Sequence, residues 1–121
     1  NTIKEFGLES IEDSMGYVLS GGQRRKVEIA RCLASKPKLI LLDEPFAGID
    51  PLAIEDIKNV LKSLSDKGIC ILITDHNLRE TIDICNYSIV IKNGSILDKG
   101  EKDYLVNSSL IKKEYFGKVF D

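Results

Sequence analysis

The sequence predicts an α/β fold in which short parallel strands alternate with crossover helices. Three nearly apolar runs, at residues 38–43, 69–74 and 87–92, have the length and composition of buried strands. Helical patterns separate these runs, and such alternation is typical of a mostly parallel sheet flanked by helices. We therefore expect all three runs to lie in the interior of a sheet, covered on both faces.

Composition limits the class of protein. The 121 residues are 43% hydrophobic and 30% charged, which is typical of a globular domain, or part of one, and excludes disorder. The net charge is −2 and no basic run is longer than residues 24–26, so nucleic acid is not an expected partner. No apolar run approaches the ~18 residues that span a membrane. The three cysteines lack zinc-site spacing and fit buried thiols in a reducing compartment, which favours the cytoplasm.

Two helices flank the first strand. The earlier one is predicted to begin after Ser20 and to reach about residue 35. The later one has Asp50 as its N-cap, Pro51 at its first position and Gly68 just beyond its end. Its apolar residues recur with helical spacing at Ile54, Ile57, Leu61 and Leu64.

The C-terminal third is predicted to contain a hairpin and short helices. A helix is expected near residues 77–85. The dipeptide Asn93-Gly94 then separates two apolar runs, which is a strong signal for a two-residue β-hairpin. Two short helical patterns, at residues 102–106 and 108–116, follow the hairpin.

The turn that opens the first helix carries a candidate phosphate site. Ser20 and Gln23 have the spacing of a capping box, which is the plain structural interpretation. Gly21 and Gly22, however, each cost a helix about 1 kcal/mol relative to Ala. The cations at residues 24–26 also lie at the positive end of the helix dipole. A bound anion would resolve both conflicts, so we predict a phosphate site here.

Two carboxylates follow the first strand directly. Asp43 and Glu44 stand at its carboxyl end, where ligands bind in open α/β sheets. In phosphoryl transfer, one carboxylate can hold Mg²⁺ while a second accepts the proton of the attacking water. Acidic residues also often follow strands simply because the strand end is solvated. The pair alone is therefore consistent both with a catalytic site and with a solvated strand end.

His76 and Asp50 are weaker candidates by themselves. His76 is the one histidine of the chain and follows the second strand, where an imidazole could reach a terminal phosphate. A lone histidine is more often structural, and its position after the other two elements is what favours a functional role. Asp50 is equally consistent with a simple N-cap and with a further role.

These elements, in this order, resemble the second half of an ABC-type ATPase. Residues 19–23 are similar to the signature motif, residues 40–44 to the Walker B motif with its catalytic glutamate, and residues 47–51 to the D-loop. His76 is similar to the switch histidine. The resemblance implies the C-terminal part of a P-loop NTPase domain. It places the end of the helical subdomain in residues 1–35 and the C-terminal part of the RecA-like core in residues 36–121.

The resemblance also implies cofactors, partners and residue roles. ATP and Mg²⁺ would be bound between two ATPase subunits of a dimer. The residues that would contact the γ-phosphate held by the second subunit are Ser20, Gly21, Gly22 and Gln23. Asp50 would cross the dimer interface. Within its own subunit, Asp43 would support Mg²⁺, Glu44 would activate water and His76 would steady the γ-phosphate.

Residues 27–31, 45–48 and 75–77 resemble, more narrowly, the ATPases of lipopolysaccharide exporters. This implies transmembrane partner subunits and a peripheral location on the cytoplasmic face of the inner membrane. ATPases of branched-chain amino-acid importers are similar. A soluble ABC-type ATPase of DNA repair or translation, and an inert α/β binding module, remain alternatives.

The sequence lacks one motif of the family. No Gly-x-x-x-x-Gly-Lys-Ser/Thr phosphate loop occurs in it. We therefore expect a C-terminal fragment that neither binds ATP tightly nor hydrolyses it alone.

Overall fold

The computed structural model describes residues 4, 6–13 and 20–116. These residues fall into two compact units, within Asn1–Asp75 and His76–Asp121. Leu19, the first residue of the predicted signature motif, lies outside the described residues. The predicted boundary after residue 35 stays a prediction.

The first unit combines a parallel strand pair with two long helices. Its elements are a 3₁₀ turn (Glu9–Ile11), α1 (Gly21–Leu33), β1 (Leu39–Asp43), α2 (Pro51–Asp66) and β2 (Cys70–Thr74). β1 and β2 pair in parallel with Leu39 opposite Cys70 and Asp43 opposite Thr74. Both strands therefore end at the same edge of the sheet, and α1 packs against α2.

α2 forms as its sequence predicts. Asp50 caps it by accepting a hydrogen bond from the Ala53 amide at 2.8 Å, and Pro51 occupies its first position. Gly68 follows its end with a φ of 92°, a conformation that favours glycine. The buried face of the helix consists of Ile54, Ile57, Leu61 and Leu64.

One face of the β1–β2 pair is open. Ile40 on one face is buried, whereas Leu39, Leu41 and Leu72 on the other are 51%, 66% and 57% exposed. The expectation that these strands are covered on both faces is therefore wrong for this structure. An apolar run indicates only that a strand suits burial, and not which segment covers it.

The second unit is built around a hairpin. Its elements are α3 (Leu78–Ile84), β3 (Ser88–Lys92), β4 (Ser95–Gly100), α4 (Lys102–Val106), α5 (Ser109–Ile111) and a π-helical turn (Lys112–Phe116). Asn93 and Gly94 have φ values of 51° and 77°, as the predicted tight turn requires. The core of the unit consists of Ile82, Val90, Leu105 and Ile111.

β3 has the partner that the predicted hairpin requires, but it does not have the predicted place in the parallel sheet. Among the described residues it pairs antiparallel with β4 and forms a sheet separate from that of β1 and β2. The α/β class, with a parallel pair, flanking helices, a C-terminal hairpin and short helices, is confirmed.

A short hydrogen bond links the hairpin to the helices that follow it. The Ser108 hydroxyl donates to Asp98 Oδ2 at 2.5 Å, and its oxygen accepts from the Ile111 amide at 3.4 Å as the N-cap of α5. The bond from Ser108 is the main reason why the pKa of Asp98 lies below its ordinary value. The Lys99 amide lowers this pKa further.

We predict that Ser108→Ala raises the pKa of Asp98 towards its ordinary value. Because the pKa of Asp98 is lower in the folded state, its stabilising contribution is present above the unfolded pKa and is lost as pH falls through the folded pKa. The variant should therefore lose less stability between neutral and acid pH. NMR titration of the Asp98 carboxyl group checks the pKa, with the neighbouring Ser109→Ala as control. Equal Asp98 pKa values in the two variants would contradict the assignment.

Candidate functional site

The polar edge where β1 and β2 end contains the predicted carboxylates. Asp43 lies opposite Thr74 in the register, and the Thr74 hydroxyl donates to Asp43 Oδ1 at 2.8 Å. The Glu44 amide donates to the Thr74 carbonyl at 2.6 Å. Asp43 and Glu44 are both exposed. The strand pairing thus fixes the backbone of both residues while their carboxylates face solvent.

Glu44 has an unusual backbone conformation. Its φ of 51° lies in the left-handed region, which costs a residue other than glycine about 1–2 kcal/mol. β1 ends immediately before this residue. The surrounding hydrogen bonds hold the strained conformation, and such strain is common at functional sites.

Thr74 and Asp75 contribute to this edge in ways that the sequence did not predict. Asp75 Oδ2 accepts a hydrogen bond from the Phe46 amide at 3.1 Å, which ties the loop after β1 to the end of β2. Thr74 orients Asp43, as described above. The available signal was their position after an apolar strand, because polar side chains there lie at the edge that carries Asp43.

The N-terminus of α1 forms the predicted capping box. Ser20 Oγ accepts from the Gln23 amide at 3.1 Å, and Gln23 Oε1 accepts from the Ser20 amide at 2.9 Å. Ser20 is exposed and is not buried in the core. The capping interpretation is therefore confirmed, and the phosphate site at the same turn stays a prediction.

The structure gives the two glycines a packing reason. A Cβ atom added at Gly22 would lie 2.7 Å from the Ala53 Cβ of α2. A Cβ atom added at Gly21 would lie 3.2 Å from the Gly48 carbonyl oxygen and 3.2 Å from a methyl group of Ile49. The turn at the start of α1 therefore packs closely on the loop and first turn that begin α2.

Two of the cations near this turn also have partners within the chain. Arg25 lies 3.7 Å from Glu28, and Lys26 forms an ion pair with Asp56 of α2. Both conflicts that suggested an anion are thus at least partly resolved by protein contacts. The phosphate site at Ser20, Gly21, Gly22 and Gln23 has to be argued on other grounds.

The structure assigns a local role to Asp50 but only a position to His76. Asp50 is exposed and acts as the N-cap of α2, adjacent to the loop on which Gly21 packs. His76 is exposed and begins the second compact unit. Its predicted contact with the γ-phosphate stays a prediction.

The donor set suits Mg²⁺ better than a metal held by protein alone. In the part of the chain that the structure describes, no group of three or more His, Cys, Asp or Glu side chains could hold a metal ion. Mg²⁺ commonly takes one or two carboxylates, with phosphate and water oxygens completing its shell. Asp43, exposed and oriented by Thr74, fits that requirement.

Comparison with known proteins shows which family the chain resembles. Residues 1–47 match the family model described as ABC transporter. Over 118 residues, or 98% of the chain, the sequence is 48% identical to the lipopolysaccharide export system ATP-binding protein LptB of Haemophilus influenzae. It is 47% identical to LptB of Escherichia coli K12 over the same length. Nearly the whole chain is therefore similar to ATP-binding proteins of ABC transporters.

A solved structure of an ABC transporter component has a similar fold. The crystal structure of the ADP conformation of MJ1267, an ATP-binding cassette of an ABC transporter, superposes with a TM-score of 0.83 at 33% identity. The match covers 97% of this chain and 48% of MJ1267. The chain likewise spans about half the length of the LptB relatives, 49% in each. Among the helices of the described residues, none combines the length and apolarity that crossing a membrane requires.

We predict that Glu44→Gly stabilises the chain by about 0.5–1 kcal/mol, because glycine adopts the left-handed conformation without strain. The greater conformational entropy of glycine in the unfolded state offsets part of this stabilisation. The matched control is Glu55→Gly, at an exposed position of α2. That change should destabilise by about 1 kcal/mol through helix propensity. Urea unfolding of both variants measures the difference, and equal destabilisation by the two changes would show that Glu44 is unstrained.

Proposed function

We propose that this chain supplies the signature turn, the Walker B carboxylates and the D-loop of an ABC transporter ATPase that powers lipopolysaccharide export. The observation that carries the proposal is the 47–48% identity to LptB over 118 residues. The exposed carboxylates at the common end of β1 and β2 support it, because this edge is where ligands bind in open α/β sheets.

Glu44 is the proposed general base. Its carboxylate accepts the proton of the water that attacks the terminal phosphate of ATP. The hydrogen bond between the Glu44 amide and the Thr74 carbonyl supports this role, since it anchors the base to the sheet. A base held in this way loses little entropy when the attacking water is positioned.

Asp43 is the proposed support for Mg²⁺. The metal ion supplies charge neutralisation for the phosphates when it is bound. The Thr74 hydroxyl donates a hydrogen bond to Asp43 Oδ1 and so orients the carboxylate. The other carboxylate oxygen can then face the metal or its water shell. Thr74 is therefore a positioning residue in this proposal.

The signature turn is the proposed contact with a nucleotide held by a second ATPase subunit. Ser20 acts in the capping box as an acceptor through Oγ, which leaves its hydroxyl hydrogen to donate to a phosphate. The amides of Gly21 and Gly22 belong to the first turn of α1, where amides have no intrahelical acceptor. Hydroxyl and amide donors at the positive end of a helix together favour an anion.

The remaining residues complete the proposed dimeric site. His76 donates to the terminal phosphate within its own subunit, Gln23 contacts the nucleotide beside Ser20, and Asp50 crosses to the second subunit. ATP binding then favours the closed dimer because the signature turns gain contacts only in that state. Closure drives transmembrane subunits at the cytoplasmic face of the membrane.

A chimaera tests the proposed activity. In it, this chain replaces the aligned 118 residues of the Haemophilus influenzae relative, so that the rest of that relative supplies the phosphate loop. We predict MgATP hydrolysis by the chimaera and a loss of at least about 100-fold in kcat for Glu44→Gln, which removes the base. Dimerisation driven by ATP should persist in this variant. Steady-state kinetics and analytical ultracentrifugation measure the two effects.

Exposed Glu12→Gln serves as the control and should retain turnover. Unchanged turnover in Glu44→Gln would remove Glu44 from its proposed role. Restored lipopolysaccharide export in cells depleted of the relative supports the cargo. If the chimaera hydrolyses ATP without restoring export, the proposed cargo is wrong and the proposed ATPase activity stands.

A further inference from the structure

Gly22 of α1 packs directly against Ala53 of α2. A Cβ atom built on Gly22 would lie 2.7 Å from the Ala53 Cβ and 3.7 Å from its Cα. Real Cβ atoms essentially never come so close, and the obstructing atom is the first atom of a side chain, which cannot rotate away. Any residue larger than glycine at position 22 therefore has to push the two helices apart.

This contact lies between two helix caps. On one side, Gly22 precedes Gln23, whose amide donates to Ser20 Oγ at 3.1 Å. On the other side, the Ala53 amide itself donates to Asp50 Oδ1 at 2.8 Å. A displacement at the contact thus acts on the first turn of each helix, and through these caps on Ser20 and Asp50.

A second contact lies one turn further along both helices. Lys26 of α1 forms an ion pair with Asp56 of α2, and its ammonium also donates to the Phe6 carbonyl at 3.3 Å. The Lys26 side chain is only 16% exposed. Because this pair fixes the helices beyond Gly22, the N-termini cannot separate freely to relieve an added methyl group.

We propose that Gly22 and Ala53 are a positioning pair that sets the spacing between the Ser20 turn and the Asp50 loop. The Gly22 amide can still donate to a phosphate, but the absence of a side chain is explained by the methyl group of Ala53, which occupies that space. The consequence for catalysis rests on the proposed function, since Ser20 and Asp50 both reach the second subunit there. The contact itself does not rest on it.

Exchanging the two residues tests the pair. Gly22→Ala adds the clash, and the double variant Gly22→Ala/Ala53→Gly removes it again. The exchange leaves one glycine and one alanine in the first turns of the two helices, so their helix propensities approximately cancel. In this chain, Gly22→Ala should lower the Tm by about 3–6 °C, between the shifts that 1 kcal/mol typically causes in smaller and in larger domains. The double variant should regain most of that loss.

Gly21→Ala is the matched control. It changes the same helical turn, but its added Cβ meets Gly48 and Ile49. Ala53→Gly should therefore not rescue it. Rescue of Gly21→Ala as complete as that of Gly22→Ala, or no rescue of Gly22→Ala, would overturn the pair.

The chimaera tests the positioning role. Gly22→Ala should lower kcat about tenfold while ATP affinity at the phosphate loop of the undimerised protein stays unchanged, and the double variant should recover kcat. Tenfold corresponds to about 1.4 kcal/mol of activation free energy. A kcat that stays low in a double variant with restored Tm would show that position 22 lacks a side chain for the approach of the nucleotide, and would overturn the proposal.

The two proposals fail separately. An unmutated chimaera that does not hydrolyse ATP would overturn the proposed function. In that case the Tm series on this chain would still decide whether Gly22 and Ala53 are a packing pair, since it involves no nucleotide.

Discussion

The parallel pairing of β1 with β2 is the constraint on which the candidate site depends. Its register sets Asp43 opposite Thr74, so the two strands end together and their polar residues share one edge. Three hydrogen bonds at that edge follow from this register: Thr74 to Asp43, Glu44 to Thr74, and Phe46 to Asp75. A slip of one residue would send each of these side chains to the opposite face.

Rigidity at this edge coexists with local strain. Glu44 keeps a left-handed φ of 51° because its amide is bonded to β2 and the loop after it is tied to Asp75. The neighbouring helix N-termini are equally constrained, since α1 and α2 touch at Gly22 and Ala53. A site built from such rigid elements is preorganised, so little rearrangement is needed when a ligand binds.

The sequence was sufficient for the local structure. Asp50, Pro51 and Gly68 marked the ends of α2, and Asn93-Gly94 marked the hairpin, because capping and turn chemistry act over a few residues. The capping box of Ser20 and Gln23 could be predicted for the same reason. The order of the motifs was enough to indicate the ABC family, which the comparisons support.

Contacts between distant segments were beyond the sequence. The residues around Gly22 do not indicate that it contacts Ala53, and those around Lys26 do not indicate that it pairs with Asp56. Such contacts depend on how the two helices pack. The glycines and cations of α1 were therefore interpreted through a bound anion, although protein atoms explain much of both. The absence of β3 from the sheet of β1 and β2, among the described residues, was missed for the same reason.

The open leucine face of β1 and β2 also has a thermal consequence. Leu39, Leu41 and Leu72 already meet water in the folded chain, so unfolding hydrates less new apolar surface than it would in a fully covered sheet. Hydration of apolar surface is the main source of the heat-capacity increase on unfolding. The stability of this chain should therefore vary with temperature along a flatter curve than that of a covered domain of equal length.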